Sequence, residues 1–452
     1  MRAGLPDRSA RVQGRPAGVV IVRIIFITAG AGGMYCGGCA RIAALARALA
    51  KRGCEVQVVP LYTPMKLDDG DPPGTTRTFF GGINVWIEQH ISLWSRVPRF
   101  VRRALDGRAL LNAVSSSFIR TQAKGLGPMT VSVLNGEHGR QAAELETLIE
   151  FLENQPRPAV VHITNSLLSA AAPVIKRRLG VTVSCELQGG ENFIAATGEP
   201  YRSQARDLIR QNARDIDVFI SPSDAYAPRI ADFLDVPSER VAIVRTGLDV
   251  SKYAPTSPPP GEPFTIGNLS RITPDKGLDL LIEACRILVS DQSRDVRLCF
   301  AGQTPDKGFW DSITSTLRRE GLGTICERRE VNNLAGKMAF LGRCNVFSIP
   351  SRTSEVLATS VLEAMAAGVP VVVPDSGVFP EIISLTNGGV LFPAGDARAL
   401  AAELVRLMDE PERTAEMGLA ARAGICEHYA ATGMADRILE LYTGLIEERK
   451  QR

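Results

Sequence analysis

A chain of 452 residues is too long for one ordinary hydrophobic core, so its length points to two domains. Its 45% hydrophobic and 22% charged residues are those of a soluble globular protein, and a formal net charge of +3 supplies no field for holding DNA or RNA. Nine cysteines without regular spacing argue against a secreted disulfide framework and fit a reducing cytoplasm.

Residues 1–18 are rich in Arg, Gly and Pro without periodicity, the composition of a disordered tail. The apolar stretch 17–33 is broken by Arg23, ends in glycines and has no small-residue cleavage site. It therefore reads as a buried first strand, not as a signal peptide or membrane span. Strand 20–28, helix 40–51 ending at Arg52-Gly53, and strand 55–61 make a β-loop-α-β unit, which implies a parallel sheet. Runs 159–163, 181–187, 217–220 and 241–244 extend it into a first domain, 19–255. An insertion at about 62–155 carries Phe79-Phe80-Gly81-Gly82-Ile83-Asn84-Val85 and a basic amphipathic stretch, 94–111. Residues 256–263, with Pro258-Pro259-Pro260, form a semi-rigid linker. The alternation restarts in a second domain, 264–430, with strands 264–267, 296–301, 346–349 and 370–373 and helices 278–288, 309–320 and 359–367. The fold class expected is α/β, two doubly wound parallel-sheet domains with the ligand in the cleft between them.

The segment from Pro350 to Pro370 runs from a strand end through a polar loop to a helix starting near Ala358 and stopping at Gly368. A helix N-terminus suits a diphosphate. Glu355 precedes the helix and Glu363 lies inside it. Eight helical steps span about 12 Å, whereas paired glycosidase carboxylates stand roughly 5–9.5 Å apart. These two acids are therefore read as binding different parts of one extended ligand, against a plainer reading as solvated helix-surface residues. The loop from Gly267 to Gly277 holds two cations, Arg271 and Lys276, which can clamp a diphosphate; otherwise it is a turn-rich solvent loop. The loop from Gly30 to Cys39 lets backbone approach a phosphate or sugar. Its glycine spacing is not that of a dinucleotide fingerprint, and strand 55–61 ends without an acid for a ribose, which speaks against an NAD enzyme.

Three further patterns are weaker. Cys36 and Cys39 form a C-x-x-C at a helix start, where redox chemistry or half a zinc site is conceivable. With no second ligand pair nearby and four histidines in all, small-residue packing is the preferred reading. In 94–111, Trp94, Val97, Phe100, Val101 and Leu105 alternate with arginines, so this stretch can lie on anionic lipid; an arginine-rich solvated face interrupted at Pro98 is the commoner explanation. Asp215-Ile216-Asp217 looks like a metal-binding D-x-D but leads from a helix into a strand, the place of a structural connection.

Over nearly the whole chain after the tail, the sequence resembles glycosyltransferase family 4, of the GT-B fold. The resemblance rests on Gly37-Gly38 with the following Ala- and Leu-rich helix, on the run from Ile243 to Asp249, on Arg271 with Lys276-Gly277, and on Glu355 with Glu363 followed by Ala364-Met365-Ala366-Ala367-Gly368-Val369-Pro370. The runs 377–383 and 388–393 extend it. Those at 35–39, 79–85 and 187–191 resemble a bacterial subgroup. The resemblance implies a hexosyltransferase-like enzyme that transfers sugar with retention from a nucleotide-diphosphate sugar, with no cofactor and no obligatory metal. It also implies a final helix, 433–449 within 431–452, crossing back to the first domain. By the same resemblance, Arg271, Lys276 and Glu355 form the catalytic set. The two cations would hold the donor diphosphate, and Glu355 would face the transferred sugar. Glu363 would take the ribose hydroxyls, while Ala358, Thr359, Gly37, Gly38 and Gln188 would contact phosphate or sugar. The expected location is the cytoplasm, with peripheral contact at the inner membrane face through 94–111, and no nucleic-acid partner. The acceptor stays open among a glycan, a lipid-linked saccharide and a small molecule.

Two positions depart from the family pattern. Gln188 stands where many relatives carry a histidine; it can donate to a sugar hydroxyl but cannot act as a base. Val356 and Ala358 replace glycines that usually follow the first glutamate, so a tighter loop there would narrow the donor choice. Both motivate a second expectation, a nucleotide-sugar-binding protein without turnover.

Overall fold

The computed structural model describes residues 22–30, 36–65, 67, 70–76, 125–256 and 263–451. The tail 1–18, the run 79–85, the basic stretch 94–111 and most of the linker lie outside the described residues.

The first domain opens with β1 (Arg23–Thr28), α1 (Gly37–Lys51) and β2 (Glu55–Pro60). Ile24, Ile25, Phe26 and Ile27 of β1 are completely buried, so successive side chains on both faces are covered. That explains the unbroken apolar run: a parallel sheet carries helices on both sides. After α2 (Gly127–Leu134) and α3 (Ala142–Glu153), the alternation continues through β3 (Val160–Ile163), α4 (Ala171–Leu179) and β4 (Thr182–Glu186). It then runs through α5 (Gly190–Thr197), α6 (Tyr201–Asn212), β5 (Val218–Ser221), α7 (Ala227–Leu234) and β6 (Val241–Ile243). The six strands are parallel in the order β2-β1-β3-β4-β5-β6.

The second domain contains β7 (Phe264–Leu269), α8 (Leu278–Ser290), β8 (Val296–Ala301), α9 (Lys307–Arg319), β9 (Cys326–Arg328) and α10 (Leu334–Leu341). It continues with β10 (Val346–Phe347), α11 (Thr359–Ala366), β11 (Val371–Pro374), α12 (Phe379–Thr386), β12 (Gly389–Phe392), α13 (Ala397–Asp409) and α14 (Pro411–His428). Its sheet, again six parallel strands, runs β12-β11-β10-β7-β8-β9. The last helix, α15 (Ala431–Gln451), returns to the first domain: Met434, Ala435, Ile438 and Tyr442 join Ile42, Leu45 and Leu49 of α1 in one buried cluster.

This topology places the site. Strand order reverses between β7 and β10 in the second sheet and between β1 and β3 in the first. At such a switch point neighbouring loops leave the sheet in opposite directions and open a crevice at the carboxyl ends of the strands. The cation loop follows β7, the acid loop follows β10, and the glycine loop follows β1. Among the described residues no helix is long and apolar enough to cross a membrane.

Candidate functional site

A cleft of about 1800 Å³ separates the domains, and all nine site residues expected from the sequence line it. On the second-domain wall the two switch-point loops are stitched together. Gly277 has φ +72°, and a Cβ there would lie 2.0 Å from the Pro350 carbonyl oxygen, so only glycine fits this turn. The Arg352 amide donates to the Asp275 carbonyl at 2.8 Å, and the Ser351 hydroxyl oxygen packs 3.0 Å from the same carbonyl. Arg352 also forks onto the Asp279 carboxylate at 2.7 and 2.8 Å. Held this way, the Lys276 ammonium donates to Glu355 Oε1, which also accepts from Ser351 Oγ at 2.7 Å. Arg271, at the cleft mouth, has a half-exposed side chain whose ion-pair partner, Asp275, lies 3.7 Å away.

Glu363 sits deeper and is 6% exposed. Its Oε1 accepts from Tyr253 Oη at 2.9 Å and from Lys337 Nζ at 2.7 Å, and Oε2 has no hydrogen bond among the described residues. Glu355 lies four residues before α11, in a loop, so the helical rise assumed from the sequence does not measure the separation of the two acids. Their difference is chemical instead: each carboxylate has its own lysine. Between them α11 begins with no side-chain cap among the described residues, so its first-turn amides lack an intrahelical acceptor where Thr359 and Ser360 line the cleft. Its N-cap, Ala358, has φ +46°, a left-handed conformation that costs a non-glycine residue roughly 1–2 kcal/mol. The Ala358 methyl group is buried in the second-domain core, and Val356 reaches across into the first-domain core.

On the first-domain wall, α1 starts at Gly37. A Cβ on Gly37 would lie 2.5 Å from Thr359 Oγ1 of the opposite domain, so a side chain there would push the walls apart. Gln188, leaving β4, points its amide nitrogen at Glu186 Oε1, 3.0 Å away, and its oxygen lies over Gly38. Glu186 is wholly buried with Arg41 and His162. Burial pushes the Glu186 acid up; the Arg41 guanidinium, with hydrogen bonds from His162 and Gln188, more than offsets this and holds it down at about 2.

Cys39 packs in the core as a small buried residue, but Cys36 is exposed on the cleft. A hydrogen bond from the Cys39 thiol, with the Gly38 and Cys39 amides and Arg271, outweighs desolvation and lowers the Cys36 thiol to about 6. In the Asp215-Ile216-Asp217 run, Asp217 accepts from Lys176 at 2.6 Å and from the Val183 amide at 2.7 Å, so its carboxylate serves the sheet. Among the described residues no group of three or more His, Cys, Asp or Glu is placed to hold a metal ion. Sequence reasoning missed Ser351, Tyr253, Lys337, Glu186, Arg41 and His162. Lys337, a lone charge among Leu334, Ala335, Met338, Ala339, Phe340 and Leu341, was the one with a local signal.

Two doubly wound domains meeting across a cleft at their switch points make up the GT-B architecture. It is shared with sucrose-phosphate synthase from Thermosynechococcus elongatus (TM-score 0.69, 15% identity, 94% of this chain and 100% of that one). An Anabaena protein solved with UDP-glucose has the same fold (TM-score 0.62, 15% identity, 93% and 99%). Residues 37–247 match the Glycosyl transferase 4-like domain family and residues 249–424 match the Glycosyl transferases group 1 family. The amylovoran biosynthesis glycosyltransferase of Erwinia amylovora is 30% identical over 202 residues, 42% of this chain and 47% of that protein. The chain spans about half the length of the first of the curated relatives it matches. It belongs to the family 4 glycosyltransferases of GT-B fold.

Proposed function

We propose that this chain transfers a hexosyl group, with retention, from a nucleoside diphosphate sugar to a hydroxyl of a glycan, a lipid-linked saccharide or a small molecule, in the interdomain cleft. The observation that carries this reading is the pair of lysine-neutralised acids, Lys276–Glu355 and Lys337–Glu363, flanking the uncapped start of α11. A bound diphosphate would draw Lys276 and Arg271 onto its oxygens and accept from the Thr359 and Ser360 amides. These donors stabilise the charge that develops on the leaving group. Glu363 Oε2, open to the cleft, suits the ribose hydroxyls, and Glu355, released from Lys276, suits the transferred sugar. Retention fits a first-domain wall where Gln188, an amide, cannot take a proton from the incoming hydroxyl. The UDP-glucose complex of the Anabaena protein supports a nucleotide-sugar donor.

The test is a thermal-shift screen with UDP, GDP and ADP and their sugars, followed by assay of nucleoside diphosphate release. Lys276→Ala and Glu355→Ala should each lower release by about a hundredfold or more while melting close to the wild-type temperature. Full activity in both variants would sink the site assignment. Binding without release over long incubation would favour a non-catalytic nucleotide-sugar-binding protein.

A further inference from the structure

Beneath the first-domain wall lies a polar network with no access to solvent. Arg41 on α1, His162 on β3, and Ser184 and Glu186 on β4 are each at most 1% exposed, and Tyr442 on α15 is fully buried. Proton accounting fixes the direction of the bonds to Glu186. Glu186 is acceptor-only when ionised, so His162 donates Nε2–H to Oε2 at 3.2 Å, and Arg41 donates Nε–H to Oε1. On its other side His162 Nδ1 lies 2.5 Å from Tyr442 Oη, which lies 2.7 Å from Ser184 Oγ. Arg41 is anchored from the other side by the Val244 carbonyl at 2.9 Å. The end of this chain of bonds that reaches the cleft is Gln188. Its amide nitrogen must face Glu186, because its oxygen cannot face a carboxylate oxygen at 3.0 Å. That leaves Gln188 Oε1 over Gly38, at the cleft wall, with no partner among the described residues.

We propose that Arg41, His162, Glu186 and Tyr442 are positioning residues that hold Gln188 with its oxygen toward the cleft, so that this wall accepts a hydrogen bond from a substrate hydroxyl. One of the two amide N–H donors expected from the sequence is thereby turned into the protein, and the C-terminal helix takes part in orienting the site. This inference rests on the transferase reading, with the hydroxyl belonging either to the transferred sugar or to the acceptor.

Gln188→Glu tests the geometry, because position 188 is at the surface of the cleft and the variant keeps the same size. When protonated, the introduced carboxyl donates O–H to Glu186 and presents its other oxygen where Gln188 Oε1 sits. When ionised, it meets a like charge at hydrogen-bond distance, which raises its pKa. The charged and titratable groups around it are Glu186, Arg41, His162 and Tyr442 beneath, Cys36 and Cys39 at the start of α1, Glu191 on α5, and Arg271 across the cleft, which acts on Cys36. Glu191 is already engaged by Tyr226 at 2.6 Å and Arg229 at 3.1 Å. Melting temperature is measured from pH 5 to 8 without substrate. The variant should coincide with wild type at pH 5 and fall below it by about 2 °C or more at pH 8. The ratio of variant to wild-type UDP release from UDP-glucose should follow the same curve, falling about tenfold from pH 5 to pH 8. Parallel pH profiles for variant and wild type would overturn the inference, since a side chain free to turn into solvent gives no new titration. If wild type releases no UDP, the transferase reading fails for this donor, while the melting curves still decide the geometry. Calorimetry with Gln188→Ala separates the two hydroxyls: weaker UDP-glucose with unchanged UDP binding assigns the sugar, and unchanged binding of both with lowered turnover assigns the acceptor.

Discussion

Glu186 and Cys36 illustrate opposite ways in which one residue's surroundings set its charge. Glu186 is fully buried yet held at about 2, far below an unfolded carboxyl. A depressed acid contributes stability above its unfolded pKa and loses it as pH falls through the folded value. Wild-type stability should therefore drop between about pH 5 and pH 2. Glu186→Gln should flatten that limb while costing about 3–5 kcal/mol at neutral pH, because it strands the buried Arg41 charge. Urea midpoints measured against pH check both; an unchanged acid limb in the variant would show that other groups control it. Cys36 is exposed, and its thiol lies near 6. Iodoacetamide should label it at pH 7 ahead of Cys54 and Cys426 and leave Cys39 untouched. The Cys36 rate should fall about tenfold per unit below its midpoint. Peptide mass spectrometry reads this directly, and a rate still climbing through pH 9 would contradict it. Arg271, Lys276, Glu355 and Glu363 were legible in the sequence because each stands at a fixed offset from a strand end or helix start. Arg41, His162, Glu186 and Tyr442 were not. Each sits in an ordinary apolar run, and the bonds joining them span up to 280 residues of chain.

At the level of elements, α15 joins the apolar flank of α1 and reaches the network under Gln188. Tyr442→Phe removes one hydroxyl and leaves the buried His162 Nδ1, among the described residues, with the more distant Ser184 Oγ alone, at 3.3 Å. A loss of about 1–3 kcal/mol is expected for stranding such a group. Turnover should fall, with nucleoside diphosphate affinity unchanged, because Lys276 and Glu363 stand on the other domain. Denaturation and calorimetric titration on the same preparation check this, and weakened nucleotide binding would mean the helix acts on the whole cleft. Strand and helix alternation was legible to within a few residues wherever an apolar run was continuous, as in β8, read at 296–301 and observed at Val296–Ala301. β9 escaped because Cys326-Glu327-Arg328 shows neither alternation nor an apolar run; its neighbour β8 makes it a strand. The run from Ile243 to Asp249 was legible as a motif but not in its role. Arg245 and Leu248 bridge the domains, and Leu248 and Asp249 also line the cleft.

For the whole molecule, that bridge sets the posture of the cleft. The Leu248 amide donates to the Tyr429 carbonyl at 2.7 Å, and the Ala431 amide donates to the Leu248 carbonyl at 2.7 Å, so the chain crosses between domains through a paired backbone. Beside it, Arg245 of the first domain donates to Glu381 of the second at 2.9 Å and also pairs with Asp224, while the Ala225 amide donates to Glu381 at 3.0 Å. One cation thus holds two carboxylates on opposite sides of the hinge. The Arg245 side chain is one-third exposed, so losing it should cost only about 1 kcal/mol of stability. The effect on shape should be larger, because Arg245→Ala leaves Asp224 and Glu381 facing each other across a joint then held by the backbone crossing, the Val356 contact and the packing of α15. In low salt the variant's radius of gyration by small-angle scattering should exceed that of wild type. In about 1 M salt, where screening acts within roughly 3 Å, the two should converge. Equal radii at both ionic strengths would mean that the backbone crossing, the Val356 contact and α15 alone fix the domains, and that the Arg245 bridge is a bystander.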